Sequence, residues 1–101
     1  LASRIPGLLD AVGEVGPTFG MVHGDLTGLN TICCDGTFSA IDWASFGWGC
    51  LVSDLARMCR IGVAEDEHAA FFEGYGRVQP IAERVLENIE VFTQAQRMNL
   101  I

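Results

Sequence analysis

The chain has 101 residues, a formal net charge of −7, and a composition that is 50% hydrophobic and 19% charged, which fits one packed domain or part of one and excludes a disordered chain. The acidic charge argues against nucleic acid and anionic membranes as partners, and no apolar stretch is long enough to span a bilayer. Because the first residues also lack a signal-peptide pattern, we expect a cytoplasmic protein.

The first part of the chain predicts a helix followed by a short strand. Leu8, Leu9 and Val12 recur at helical spacing, and the Gly-Pro dipeptide at residues 16–17 ends the helix. Residues 19–22 form a short apolar run, which favours a strand.

A β-hairpin is predicted next. Residues 23–30 include two glycines and predict a loop. Residues 31–34 and 38–41 are largely apolar or β-branched and flank an Asp-Gly dipeptide at residues 35–36, which is a hairpin signal. Residues 42–52 contain two glycines and two tryptophans, and we predict an ordered loop there.

Three helices are predicted after that loop. The first covers residues 54–60, with Ser53 as its N-cap and Gly62 beyond its end, and the second covers residues 64–78 with an acidic first turn. The third begins at Pro80. Its apolar face consists of residues at helical spacing, namely Ile81, Val85, Ile89 and Phe92. The predicted fold class is therefore α+β and predominantly helical.

Three polar residues around the hairpin have the chemistry of a magnesium site. Asp25 and Asn30 lie on the loop before the hairpin, and Asp42 follows its second strand. Because a hairpin brings its outer ends together, we expect these side chains to converge. Carboxylate and amide oxygens suit Mg²⁺ and do not suit zinc. Phosphoryl transfer uses such a set, with one carboxylate for the attacking hydroxyl and two ligands for the metal.

Three motifs follow one another in this region. They are His-Gly-Asp-x-x-x-x-Asn at residues 23–30, Ile-Asp-Trp at residues 41–43 and Asp-Leu-Ala at residues 54–56, and Phe-Phe-Glu-Gly-Tyr follows at residues 71–75. Protein kinases carry a related pair of motifs, H-R-D-x-x-x-x-N and D-F-G. The set as a whole resembles the aminoglycoside phosphotransferase and choline kinase-like family, which has a protein kinase-like fold.

The resemblance implies a role for each matching residue. Asp25 would be the catalytic base, Asn30 and Asp42 would bind Mg²⁺ and through it ATP or GTP, His23 would support the loop, and Asp54 would accept hydrogen bonds from its backbone. The implied reaction transfers the γ-phosphoryl group of a nucleoside triphosphate to a small-molecule hydroxyl acceptor of the aminoglycoside, choline or homoserine kind.

The resemblance also implies an N-terminal lobe that binds the nucleotide with a glycine-rich turn and a lysine. All six basic residues of the chain are arginines, and no glycine-rich phosphate motif is present. We therefore expect residues 1–101 to be a single partial domain, the C-terminal catalytic lobe, with the hairpin carrying the catalytic and metal loops ahead of three helices. Such a lobe would expose apolar surface, through which self-association is expected.

Two other functions remain open. A catalytically inactive lobe fragment that acts as a binding or interaction module is consistent with the absence of lysine. A metal-dependent hydrolase that uses Asp25 and Asp42 is less well supported, because such sites usually include histidines or additional carboxylates.

Overall fold

The computed structural model describes residues 3–59 and 65–101, which form helices and two small antiparallel sheets. The helices are α1 (Ile5–Gly13), α2 (Leu51–Met58), α3 (Glu65–Val78), α4 (Glu83–Glu87) and α5 (Ile89–Arg97). The strands are β1 (Phe19–Val22), β2 (Thr31–Cys34), β3 (Thr37–Ala40) and β4 (Gly47–Cys50). This arrangement confirms the predicted α+β class. Within the described residues, no helix is long and apolar enough to cross a membrane.

The hydrophobic core lies where α2 packs against α5 and α1 packs against α4. Phe92 and Ala56 are completely buried at its centre, with Val52 and Val85 beside them. Complete burial of a large apolar side chain contributes about 1.5–3 kcal/mol relative to an exposed one, so these contacts dominate the stability of the helical half.

The β2–β3 hairpin forms around the predicted turn. Asp35 and Gly36 both have positive φ angles, 51° and 75°, as expected for the tight turn that an Asp-Gly dipeptide favours. β3 begins and ends one residue earlier than predicted. At the open end of the hairpin the Ile41 N–H donates to the carbonyl oxygen of Asn30 at 2.8 Å, so residues on either side of the hairpin lie next to each other.

The prediction of a continuous loop over residues 42–52 is wrong for its second half. β4 lies there and pairs antiparallel with β1, with Gly49 opposite Gly20. The glycines indicated a loop, but they serve close packing: a β-carbon on Gly20 would lie 3.0 Å from Leu51 Cδ2, and one on Gly49 would lie 3.1 Å from Val22 Cγ2. This sheet leads directly into α2.

The start of α2 also differs from the prediction. Cys50 is the N-cap residue, and Ser53 lies inside the first turn, where its hydroxyl donates to the Cys50 carbonyl oxygen at 2.7 Å. Cys50, the last residue of β4, is therefore also the cap of α2. The predicted helix end at Arg60 and Gly62, and the predicted start of the next helix at Ala64, lie outside the described residues.

The helix predicted from Pro80 is in fact two helices. α4 and α5 meet at Asn88, whose φ of −118° and ψ of 21° are not helical. The Asn88 side-chain amide donates to the Arg84 carbonyl oxygen at 2.8 Å, which satisfies a group at the end of α4. Val85 and Phe92 are buried on either side of the break, so the apolar spacing continued across it and could not show it.

Candidate functional site

The loop over residues 23–30 joins β1 to β2 and is held in place by hydrogen bonds to α2. Asp54 Oδ2 accepts from the His23 N–H at 2.9 Å, and Asp54 Oδ1 accepts from the Gly24 N–H at 3.1 Å. Asp54 is only 7% exposed and stands in the first turn of α2, where the helix dipole stabilises a negative charge. The geometry is the one that a loop-supporting carboxylate requires.

Gly24 allows this loop to pack closely against the segment around Ser45. Its φ is +92°, and a β-carbon there would collide with the backbone of Ser45. An L side chain at this position would meet both a steric clash and an unfavourable backbone conformation. The glycine of the His-Gly-Asp motif therefore lets residues 23–30 pack directly on the segment that precedes β4.

His23 connects the same loop to the end of the hairpin. The Asp25 N–H donates to His23 Nδ1 at 3.1 Å, so the ring proton lies on Nε2, which donates to the Ile41 carbonyl oxygen at 2.8 Å. The buried imidazole also packs against Trp43, with ring centroids 4.5 Å apart. Since both ring nitrogens are engaged by the backbone, His23 is arranged to hold the two loops together.

Asp25 and Asn30 are in direct contact. The Asn30 amide nitrogen donates to the Asp25 backbone oxygen at 2.8 Å and to Asp25 Oδ2 at 3.0 Å. A 3₁₀ turn over Gly28–Asn30 brings the amide back towards the start of the loop. Because the amide nitrogen is engaged within the loop, Asn30 Oδ1 is the atom that remains for a metal ion.

Asp42 is connected to Asn30 by a backbone hydrogen bond of the preceding residue. It follows Ile41, which is hydrogen bonded to both Asn30 and His23, and its φ of 58° turns the chain sharply at the end of the hairpin. Its side chain is exposed. The structure thus brings Asp25 and Asn30 into contact, and it places the exposed residue Asp42 next in the chain to Ile41, which is hydrogen bonded to Asn30.

Few residues are available here to bind a metal. Within residues 3–59 and 65–101, no group of three or more His, Cys, Asp or Glu side chains could hold an ion. The donors that remain are the Asn30 amide oxygen and the Asp42 carboxylate. Two hard oxygen donors fit Mg²⁺, which keeps several waters and takes further ligands from substrate phosphates.

Arg57 is a site residue that the sequence reasoning missed. Its Nη1 donates to Asp25 Oδ1 at 3.0 Å, and the Arg57 and Asp25 side chains are 24% and 41% exposed. It stands three residues after Asp54 on α2, and residues at this spacing share one face of a helix. That spacing was visible in the sequence, but only the docking of the loop on α2 shows that Arg57 reaches Asp25.

Burial changes the acidity of two groups behind the site. Burial raises the pKa of the Tyr75 phenol on α3, and the negative charge of Asp54 raises it further. Burial also raises the pKa of the Cys50 thiol, against the smaller opposing effect of backbone hydrogen bonds from Val52 and Ser53. Both groups therefore stay neutral at physiological pH, and neither is arranged as a nucleophile.

A family model described as the phosphotransferase enzyme family matches residues 1–87. The match includes every site residue described above, from His23 to Arg57, and extends to the end of α4. No curated protein and no solved structure matches the chain.

Proposed function

The chain belongs to the phosphotransferase enzyme family, and from that premise we propose that it transfers the γ-phosphoryl group of ATP or GTP to a hydroxyl group of a small molecule. One observation carries the proposal: Asn30 contacts the Asp25 carboxylate with its amide nitrogen while its amide oxygen remains for a metal ion. A proton acceptor and a metal ligand are thereby adjacent, as phosphoryl transfer requires.

Asp25 has the properties expected of the base in this reaction. Its side chain is 41% exposed, so an acceptor can reach it from solvent, while its backbone N–H is fixed by His23. In the proposed step the acceptor oxygen forms a bond to the γ-phosphorus and the bond from that phosphorus to the β-phosphate oxygen breaks. The hydroxyl proton passes to Asp25, and the nucleoside diphosphate leaves.

Asn30 and Asp42 are the residues that would hold Mg²⁺. When bound, the ion neutralises the charge of the phosphates and aligns them for transfer. The turn at Asp42 and the hydrogen bond from Ile41 to Asn30 keep the two ligand-bearing backbones adjacent. We further propose that the hairpin and the helices form the C-terminal lobe of a kinase-like fold.

Calorimetric titration of Mg-ATP and Mg-GTP into the chain tests the metal site. We expect binding that depends on Mg²⁺ and is lost in Asp42→Ala. The matched control is Asp10→Ala, which removes an exposed carboxylate from α1 and should leave binding unchanged. Equal binding by Asp42→Ala and the unmodified chain would overturn the metal assignment.

Phosphate transfer from radiolabelled nucleotide to a panel of hydroxyl acceptors tests the base. Asp25→Asn keeps the shape of the side chain but removes its basicity. It should retain nucleotide binding and lower turnover about 10²–10⁴-fold, the usual contribution of a general base. Undiminished turnover by this variant would show that Asp25 does not accept the proton.

A second candidate, an inactive lobe that acts as an interaction module, is favoured by a separate observation. The β1–β4 sheet exposes three large apolar side chains, Phe19 at 51%, Met21 at 56% and Trp48 at 75%, and Met21 lies directly opposite Trp48. Clustered exposed apolar side chains are typical of interaction surfaces. Concentration-dependent self-association in sedimentation, without phosphate transfer, would favour this candidate; a monomer with transfer activity would exclude it.

A further inference from the structure

We propose that Arg57 is a positioning residue that fixes the orientation of the Asp25 carboxylate for phosphoryl transfer, an inference that rests on the function proposed above. Arg57 lies outside the three motifs that identified the site. Its guanidinium group contacts the loop through a single described partner, the Asp25 side chain, at 3.0 Å.

Helix α2 contacts the loop over residues 23–30 through two side chains. Asp54 accepts hydrogen bonds from the backbone of His23 and Gly24, and Arg57 donates to the side chain of Asp25. Two side chains on one face of α2 thus bind three consecutive loop residues. Asp54 determines where the loop backbone lies, whereas Arg57 acts on the carboxylate alone.

The two carboxylate oxygens of Asp25 have different donors. Oδ1 accepts from Arg57 at 3.0 Å, and Oδ2 accepts from the Asn30 amide at 3.0 Å. With both oxygens engaged, rotation about the Cβ–Cγ bond would break at least one hydrogen bond. The bond from Arg57 carries full opposite charges, which makes it roughly twice as strong as a neutral hydrogen bond.

Charge gives Arg57 a second effect on the same carboxylate. The chain carries a net charge of −7, and a nucleoside triphosphate brings further negative charge towards Asp25 and Asp42. The guanidinium group offsets the repulsion between Asp25 and the incoming phosphates. The other described ion pair, between Arg77 and Glu73 on α3, is largely exposed and involves none of the predicted site residues, so it provides a control.

The test compares Arg57→Gln and Arg57→Lys with Arg77→Gln in the phosphate-transfer assay. Arg57→Gln should lower kcat about 10–100-fold, as is usual when a hydrogen-bond partner that orients a functional side chain is removed. The KM for the acceptor should change little. Arg57→Lys should recover part of the loss, because it keeps the charge but not the planar guanidinium geometry. Arg77→Gln should leave kcat unchanged.

A nuclear magnetic resonance experiment separates failure of this inference from failure of the proposed function. In Arg57→Gln, the side-chain amide protons of Asn30 should exchange faster with solvent, because the freed Asp25 carboxylate rotates away. The backbone amides of His23 and Gly24 should keep their protection, since Asp54 still accepts from them. This pattern in a chain without transfer activity would leave the proposed function unsupported while retaining Arg57 as the residue that orients Asp25.

Two results would overturn the inference. Unchanged Asn30 exchange together with unchanged kcat in Arg57→Gln would show that the carboxylate is oriented without the guanidinium group. Loss of protection at His23 and Gly24 as well would show that Arg57 maintains the fold of the whole loop instead of orienting one side chain.

Discussion

The helical half of the molecule and the segment over residues 23–46 are stabilised in different ways. The helices bury Phe92 and Ala56 completely. By contrast, residues 41–46 are all exposed, and their course is determined by hydrogen bonds and by the close approach of Gly24 to Ser45. Apolar burial therefore stabilises the helices, hydrogen bonds position the candidate site, and α2 joins the two regions by contacting the core and the loop at once.

Phe92→Ala tests how far the loop depends on the core. Removal of this buried ring should lower the free energy of unfolding by about 3–5 kcal/mol, since lost burial and the resulting cavity both contribute. Urea unfolding followed by circular dichroism and by tryptophan fluorescence measures it. The two probes should shift together, because α2 carries the loop. Separate transitions would show that the segment over residues 23–46 keeps its structure without the core.

Asp54→Ala removes the connection between α2 and the loop while leaving the apolar core intact. Two backbone N–H groups, those of His23 and Gly24, lose their acceptor, which should cost about 1–3 kcal/mol for a buried unsatisfied donor. Hydrogen exchange should show protection lost at these two amides and retained in α5. With Asp10→Ala as the control, loss of protection throughout the helices would contradict the separation of the two regions.

Gly24→Ala acts within the loop alone. A side chain in this left-handed conformation costs about 1–2 kcal/mol, and the clash with Ser45 adds to it. The helical circular dichroism signal should persist while Mg-ATP binding weakens. Gly47→Ala is the matched control, because a β-carbon there meets no atom within 4 Å. Equal behaviour of the two variants would show that the backbone conformation at Gly24 does not position the site.

Ile32→Thr should have the smallest effect. Ile32 is half exposed on the hairpin, and Thr keeps the β-branched shape, so the free energy of unfolding should change by less than about 0.5 kcal/mol. Thermal unfolding measures the change. A loss above 1 kcal/mol would indicate that the hairpin is covered in solution, for instance by a second copy of the chain, and would weaken the contrast with the helices.

The parts of the fold that were predicted correctly depend on local sequence. The Asp-Gly turn at residues 35–36 specifies the hairpin between its own neighbours, and the spacing of Leu8 and Val12 specifies α1. β4 was missed because its partner, β1, lies far away in the chain, and because glycines usually weaken a strand. The residue pattern within a short stretch of sequence cannot predict that β4 pairs with a strand so distant in the chain.

The candidate site shows the same limit. The contact between Asp25 and Asn30 lies within one loop, and its spacing was visible in the sequence. The contact between Asp25 and Arg57 joins residues 32 positions apart and exists only because α2 docks beneath the loop. The break between α4 and α5 at Asn88 could not be predicted from the apolar spacing either, because the apolar residues of both helices face the same core.

The Asn30 amide has one end that donates and one end that accepts. Its nitrogen donates to the Asp25 carboxylate at 3.0 Å, so the orientation of the amide is determined by its neighbour and its oxygen points away from it. An aspartate at this position would lose both hydrogen bonds to Asp25 and would place a second carboxylate against it, so the two negative charges would repel each other. The acceptors that Asp25 presents therefore favour an amide over an acid at residue 30.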